Sequence, residues 1–518
     1  MTGNITRRAV LGVAAASAVG AMTGGASGPA GSAAGSTARR GGGGRPNWDS
    51  LSRHLDGDLI LPSDARYGQA REQSLAQFDN TNPMAVAYCE TPKDVRTVLA
   101  FAHDHHVHTV PRSGGHSFGG YSTTTGMILD VSRMNQVAID GEHVTIGAGT
   151  QQVDALAALT PHGMALVSGM CPTVGSGGYL QGGGIGLQTR TFGMACDRLV
   201  SADVVLAGGR LVRASARENP DLFWALRGNG GGNYGVVTSY TLRPINRASL
   251  VGYRLVWLGV DAANVIEKWQ QWMLAAPNDL SSLLLARVRN PPTPDIGVIL
   301  TGTWYGAIED LNILVDQLIG EVGVAPTVRA VANASVYDMM MSVYGCTSLT
   351  TAQCHREGTT PEAQVARSYH YHTRSRMYDD AVPRADVDDL VAILTDPAKS
   401  TPQQDRLLYF EALGGVANEP ARTDTAYVHR TTRMLAGVTA QLLDANYTAD
   451  DVALSESWLA DAFAVLDRHS LRESYQNYMD PSLKDWRRAY YAENYPRLVR
   501  VKRAYDPYGF FRFARSIG

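Results

Sequence analysis

A chain of 518 residues, 44% apolar and 18% charged, is long enough for more than one hydrophobic core and has a soluble globular composition. Its formal charge of −3 leaves no basic footprint for a polyanion, so neither nucleic acid nor an acidic substrate is expected as a partner. Five cysteines without a CxxC spacing argue against a disulfide scaffold and against zinc, and no metal is expected.

Residues 1–45 read as a leader rather than as part of the fold. Thr6-Arg7-Arg8-Ala9-Val10-Leu11-Gly12 is a twin-arginine export pattern, followed by a weakly apolar run and a Gly/Ala/Ser tail. The run is too short and too glycine-rich to span a membrane, so the chain is expected to be secreted with no membrane association. In an exported chain Cys346 and Cys354 are able to pair, while Cys89 and Cys196 are expected to be structural.

Order is expected from about residue 46. Thr91 as N-cap and Pro92 in the first turn predict a helix that ends in the histidine-rich run 103–108, where the helix dipole favours solvated histidines over a metal site. Short strands follow at 108–111 and 127–131, then a hairpin around Asp140-Gly141 and a helix over 150–159. A second hairpin spans 199–213, and Asn219-Pro220-Asp221 opens a short helix with Asn219 as its cap. Residues 230–240 are expected to return as strand. From about residue 251 the glycine clusters disappear, and strands (252–258, 282–288, 297–305, 407–415) alternate with amphipathic helices (264–275, 308–321), which indicates a second domain. The closing stretch is expected to hold helices over 458–469 and 482–504.

Two glycine-dense loops dominate the first half. Residues 111–120 read Pro-Arg-Ser-Gly-Gly-His-Ser-Phe-Gly-Gly, and residues 171–186 run from Cys171 through Cys-Pro-Thr-Val-Gly-Ser-Gly-Gly to Gly182 and Gly186. Backbone amides kept accessible by glycine are a means of holding a diphosphate. The first loop lacks the Gly-Lys-Ser/Thr of a Walker A motif, and the second lacks the strand and acidic residue of a dinucleotide fingerprint. A nicotinamide cofactor is therefore disfavoured.

These loops resemble those of the berberine-bridge-enzyme branch of the vanillyl-alcohol-oxidase flavoproteins. In that family Arg-Ser-Gly-Gly-His supplies a histidine joined to the flavin 8α carbon, and Gly-x-Cys-Pro-Thr-Val-Gly-x-Gly-Gly supplies a cysteine joined to C6. Residues 169–178 match the second segment almost throughout. The resemblance extends to Arg190-Thr191-Phe192-Gly193 with Asp197, to 219–228, to 232–238, and to the C-terminal run 490–517; Gly509, Gly120 and Tyr121 depart from the usual pattern. It implies an α+β fold in which a two-part FAD-binding domain of the vanillyl-alcohol-oxidase type (46–248 and 455–518) encloses a substrate domain (249–454) whose antiparallel sheet is covered by helices.

The resemblance further implies covalent FAD, linked 8α-histidyl through His116 and 6-S-cysteinyl through Cys171. Around it are expected Arg112, Ser113, Gly114, Gly115, Ser117, Val174, Gly175, Gly178, Gly182, Gly186, Asp197, Gly235, Val236 and Asn477. Tyr475-Gln476-Asn477-Tyr478 resembles a family strand whose second tyrosine faces the flavin. Tyr478 is then the expected base, with its pKa depressed by neighbouring donors or a cation. Glu411 is the alternative base, and Tyr409 lies on the same strand face. Valine at 174 goes in the family with oxygen access to the flavin. The expected reaction is oxidation of a hydroxyl on a sugar or glycosylated secondary metabolite, with O2 reduced to H2O2. Oxidative cyclisation or C–C bond formation, and a non-catalytic flavoprotein that sequesters a small molecule, stand as the alternatives.

Overall fold

Residues 46–289 and 296–518 are described by a computed structural model, and the twin-arginine segment at 6–12 lies outside them. Four strands make the first sheet: β1 (Leu59–Ile60), β2 (Ala85–Tyr88), β3 (Thr109–Arg112) and β4 (Met127–Asp130), in the order β1-β2-β4-β3. β2 and β3 both run parallel to β4, and parallel neighbours require a crossover between them. The helix Pro92–Asp104 lies between β2 and β3 in sequence, opened by a capping box between Thr91 and Asp94. Its Val95, Val98, Leu99 and Ala102 are buried in the same core as β2 and β4.

The second sheet is antiparallel and holds β5 (Val137–Asp140), β6 (His143–Gly147), β7 (Leu199–Val205), β8 (Leu211–Ser215) and β9 (Val236–Leu242), in the order β5-β6-β9-β7-β8. Residues 230–235, expected as strand, are instead a turn-rich approach to β9. Gly230, Gly231 and Gly232 take φ of 86°, 84° and 67°, a region closed to most side chains. Asn219 holds the expected N-cap position, its carbonyl accepting from the Phe223 amide, but its side chain does not cap. It adopts a left-handed conformation, donates to the Arg213 carbonyl and makes no cap hydrogen bond to the helix Pro220–Leu226.

Seven antiparallel strands form the third sheet: β10 (Ser249–Leu258), β11 (Leu280–Arg289), β12 (Gly297–Trp304), β13 (Val328–Ser335), β14 (His370–Tyr378), β15 (Gln404–Ala412) and β16 (Met434–Leu442), ordered β13-β10-β12-β11-β15-β16-β14. Side chains alternate between faces along each strand. Leu408, Phe410, Ala412, Ala436 and Val438 therefore join a core with the helices Ala262–Ala275, Ile308–Val322, Arg384–Thr395 and Ala449–Asp467. Leu283, Tyr409 and Leu435 point the other way, into the core of the first two sheets. The helix Ala449–Asp467 crosses the boundary expected at 454/455, and its Trp458, Leu459, Ala462 and Leu466 belong to the second core.

After that helix the chain returns to the first core. The expected helix over 482–504 is two, Trp486–Tyr491 and Tyr495–Tyr505, interrupted where Ala492 takes φ 38°. The Lys502 ammonium, nearly buried, donates to the carbonyls of Asn233 and Phe511 and pairs with Asp506 at 2.7 Å, which fixes the C-terminus beside the glycine turn. Cys346 and Cys354 are joined in a disulfide.

Candidate active site

The first glycine loop leaves the end of β3, where Arg112 is almost fully buried. Its guanidinium pairs with Asp130 and donates to the carbonyls of Ala70 and Glu72. Arg112 borders the cavity while its charge braces β3. Ser113 donates to the Ala148 carbonyl at 2.7 Å. Gly114 sits so close to the second loop that a Cβ would lie 2.4 Å from the Gly175 nitrogen, and one on Gly175 would meet Ser113 Oγ at 2.2 Å. Only glycine on both sides lets the loops touch. His116 Nε2 reaches across the same seam to Thr173 Oγ1 at 2.7 Å.

Both loops border a cavity of about 260 Å³. Ser113, Gly114, Gly115, His116 and Ser117 line it, with Cys171, Val174, Gly175 and Gly178 from the second loop, Gly235 and Val236 from the start of β9, and Asn477 and Tyr478. Cys171 exposes its thiol to this cavity, and the enclosing protein pushes its pKa up to about 11. Cys89 and Cys196 lie in the core.

Three expected contacts fall elsewhere. Asp197 forms a two-pronged pair with Arg430, 2.7 and 2.6 Å, and lies off the cavity wall. Gly182 makes room for Asn477, whose Oδ1 would be 1.9 Å from an added Cβ, and Gly186 makes room for the Ser168 carbonyl at 2.0 Å. Asp197 is engaged in an ion pair and the two glycines in close packing, and none of the three borders the cavity.

Residues 475–478 form a turn, not a strand: the Tyr478 amide donates to the Tyr475 carbonyl at 3.0 Å. The Tyr475 hydroxyl accepts from the amides of Gly184 (2.9 Å) and Ile185 (3.2 Å) and from Asn477 Nδ2 (2.9 Å), which ties the turn to the second glycine loop. The turn presents Tyr478 to the cavity, where its hydroxyl donates to Glu411 Oε1 at 2.7 Å. Glu411 and Tyr409 do not border the cavity themselves; they stand behind Tyr478 on one face of β15. Tyr409 meets Tyr478 edge-on at 6.2 Å, shares a hydrogen bond with Thr373 at 3.0 Å, and lies over Gly437, where a Cβ would be 2.4 Å from its ring. Its hydroxyl is thus engaged with Thr373 and its ring with Tyr478 and Gly437.

The electrostatics favour Glu411, the alternative base, over Tyr478 alone. Burial raises the Tyr478 pKa well above 10, and the Glu411 charge adds to it. No cation or donor depresses it, so Tyr478 alone is a poor base. Glu411 lies between Leu283 and Leu435 of the neighbouring strands. Burial there lifts its pKa to about 7 against the pull of the Tyr478 hydroxyl. The pair as a unit can take a proton near neutral pH.

Several cavity residues were not anticipated. Gly230, Gly231 and Gly232 line it, as do Phe118, whose ring lies 5.9 Å from Tyr478, and Gln476. Gln476 is held by His429 (3.2 Å) and by the Gly228 carbonyl (2.8 Å), and His429 is held in turn by Glu473 at 2.7 Å. The glycine triplet was the readable signal, because three consecutive glycines are poor strand formers.

The site fits a flavin dinucleotide on its own terms. Among the described residues the backbone amides of Gly114, Gly115, His116 and Ser117 donate to no protein acceptor, the donor array that a diphosphate requires. A family profile described as "FAD binding domain" matches residues 83–215, and one described as "Berberine and berberine like" matches residues 474–518. The chain is 28% identical over 473 residues to the uncharacterized FAD-linked oxidoreductase YgaK of Bacillus subtilis, covering 89% of this chain and 97% of that one. Its fold is similar to Physcomitrella patens BBE-like 1 (TM-score 0.80, 23% identity, 91% of this chain and 98% of that one). It is similar also to chitooligosaccharide oxidase (TM-score 0.76, 22% identity, 90% and 98%). The profiles match two stretches of the chain that border the cavity, and together with the curated relatives they make the chain a FAD-linked oxidoreductase similar to the berberine-bridge-enzyme-like proteins.

Proposed function

We propose that the protein is a secreted oxidase whose FAD is joined both to His116 and to Cys171, and that it oxidises a hydroxyl of a sugar or glycosylated secondary metabolite while reducing O2 to H2O2. The observation that carries this reading is the hydrogen bond of 2.7 Å from Tyr478, at the cavity, to Glu411 behind it. Removing a hydride from an alcohol carbon requires a group that takes the hydroxyl proton. Mere sequestration of a ligand requires none.

Bound FAD supplies the two-electron acceptor. The chain supplies the rest. Tyr478 accepts a hydrogen bond from the substrate hydroxyl and passes its own proton to Glu411, whose pKa of about 7 suits it to receive one at neutral pH. Phe118 and Tyr478 offer adjacent aromatic rings against which a sugar or aglycone can stack. Val174 borders the cavity, and its small side chain supports oxygen access by the resemblance noted above. The substrate class draws support from the fold shared with chitooligosaccharide oxidase, and secretion from the twin-arginine pattern at residues 6–12.

Incubating the aerobic protein with a panel of oligosaccharides and glycosides, and following peroxide against substrate consumed, tests the proposal. Equimolar peroxide with at least one of them is expected. Binding without turnover across the panel would contradict it, and a cyclised product would reassign the reaction.

A further inference from the structure

Thr173 was not singled out by its type or its place in the second loop, yet it is the one side chain that touches His116 by hydrogen bond among the described residues. The contact of 2.7 Å spans 57 positions of sequence and closes the seam between the two glycine loops. Thr173 is 6% exposed, and among the described residues its hydroxyl makes no other hydrogen bond to the protein. The other ring nitrogen of His116, Nδ1, has no protein partner there, and the residue borders the cavity.

We propose that Thr173 is a positioning residue for flavin attachment, engaging Nε2 of His116 so that Nδ1 is the nitrogen that bonds to the flavin C8α carbon. This rests on the bicovalent reading above. A neutral imidazole carries one N–H and one lone pair, so a hydroxyl that accepts from Nε2–H leaves the lone pair on Nδ1. Burial and the nearby Arg356 guanidinium hold the His116 pKa down to about 4, so the ring is neutral over the working range. With Nε2–H donating to the threonine oxygen, the lone pair is on Nδ1.

The Nδ1–C8α bond forms, one C8α–H bond breaks, and Nε2 gives up its proton, because an imidazole alkylated at Nδ1 returns to neutrality that way. The two protons and the two electrons leave together on dioxygen as hydrogen peroxide. Before the step Nε2 is a donor and after it an acceptor. A hydroxyl can accept in the first state and donate in the second, whereas a methyl group can do neither.

The test compares Thr173→Val and Thr173→Ser with the wild type, each expressed as the full chain with FAD and then digested. Mass spectrometry of the flavopeptides gives the fraction linked at His116 and, separately, at Cys171, and NMR of the isolated histidyl peptide gives the nitrogen used. The cysteinyl link reports that a variant has folded and loaded its flavin. In T173V the His116-linked fraction is expected to fall about tenfold, the effect of one buried hydrogen-bond partner left unmet, with the Cys171 link retained. T173S is expected to keep both links, through Nδ1. Unchanged His116 attachment in T173V, loss of it in T173S, or attachment through Nε2 in the wild type overturns the assignment. A wild type with no histidyl adduct overturns the bicovalent reading itself, which is a distinct result.

Discussion

Glu411 carries the largest consequence of any single side chain. Its pKa rises from the ordinary 4.5 to about 7 because burial penalises the carboxylate. The folded protein therefore holds this proton more tightly than the unfolded chain does. The stability that follows is fully present below about pH 4.5 and is lost as the pH climbs through about 7, a loss of up to about 3 kcal/mol. Glu411→Gln removes that loss. The variant is expected to melt above the wild type at about pH 8 and level with it near pH 4, while flavin reduction slows roughly 100- to 10,000-fold. Thermal scans at the two pH values check the first part, and a variant no more stable than wild type at the higher pH would contradict it. Glu411 was legible in sequence as one face of a strand, but its dominance over Tyr478 was not. The pKa order depends on Leu283 and Leu435 packing across β11 and β16, and strand pairing is invisible in one sequence. Asp197 failed for a related reason: its partner Arg430 lies 233 positions away.

At the scale of elements, the site depends on a short turn and not on a long strand. Residues 475–478 are fixed by hydrogen bonds from Gly184, Ile185 and Asn477, and the loop opposite must stay bare at Gly182 for Asn477 to fit. Gly182→Ala would place a methyl 1.9 Å from Asn477 Oδ1, and the turn must shift to accept it. A displacement of that size at a proton-transfer site is expected to lower the rate by about 100-fold with the flavin still bound; an unchanged rate would mean that the turn does not position Tyr478. The two glycine loops were readable because their contact at Gly114 and Gly175 needs glycine locally. The resemblance implied a strand at 475–478, and the turn found there depends on bonds from a loop some 290 positions away, which the local sequence does not show.

For the whole molecule, the third sheet offers its helix-covered face to one core and its opposite face, with Tyr409, to the other. The C-terminal segment borders the cavity at Phe511, Arg512 and Phe513 and is tied down by the bonds of Lys502 and Ile517 to Asn233. The division into early sheets and a later α+β region was legible from where the glycines stop, while the helix Ala449–Asp467 spans the expected boundary at 454/455, because an amphipathic face does not say which core it joins. A flavin held at two points should survive loss of the fold. After acid precipitation the colour is expected in the pellet of the wild type and of H116A or C171A alone, and in the supernatant of the double variant; colour released from the wild type would refute attachment. The account rests most heavily on proton transfer through Tyr478 to Glu411, and anaerobic rapid mixing with an oxidisable glycoside, following flavin bleaching across the pH range, tests it directly. The rate should rise with pH through an inflection near 7, and that limb should vanish in E411Q. A rate independent of pH, or an E411Q protein that reduces its flavin as fast as the wild type, would contradict it.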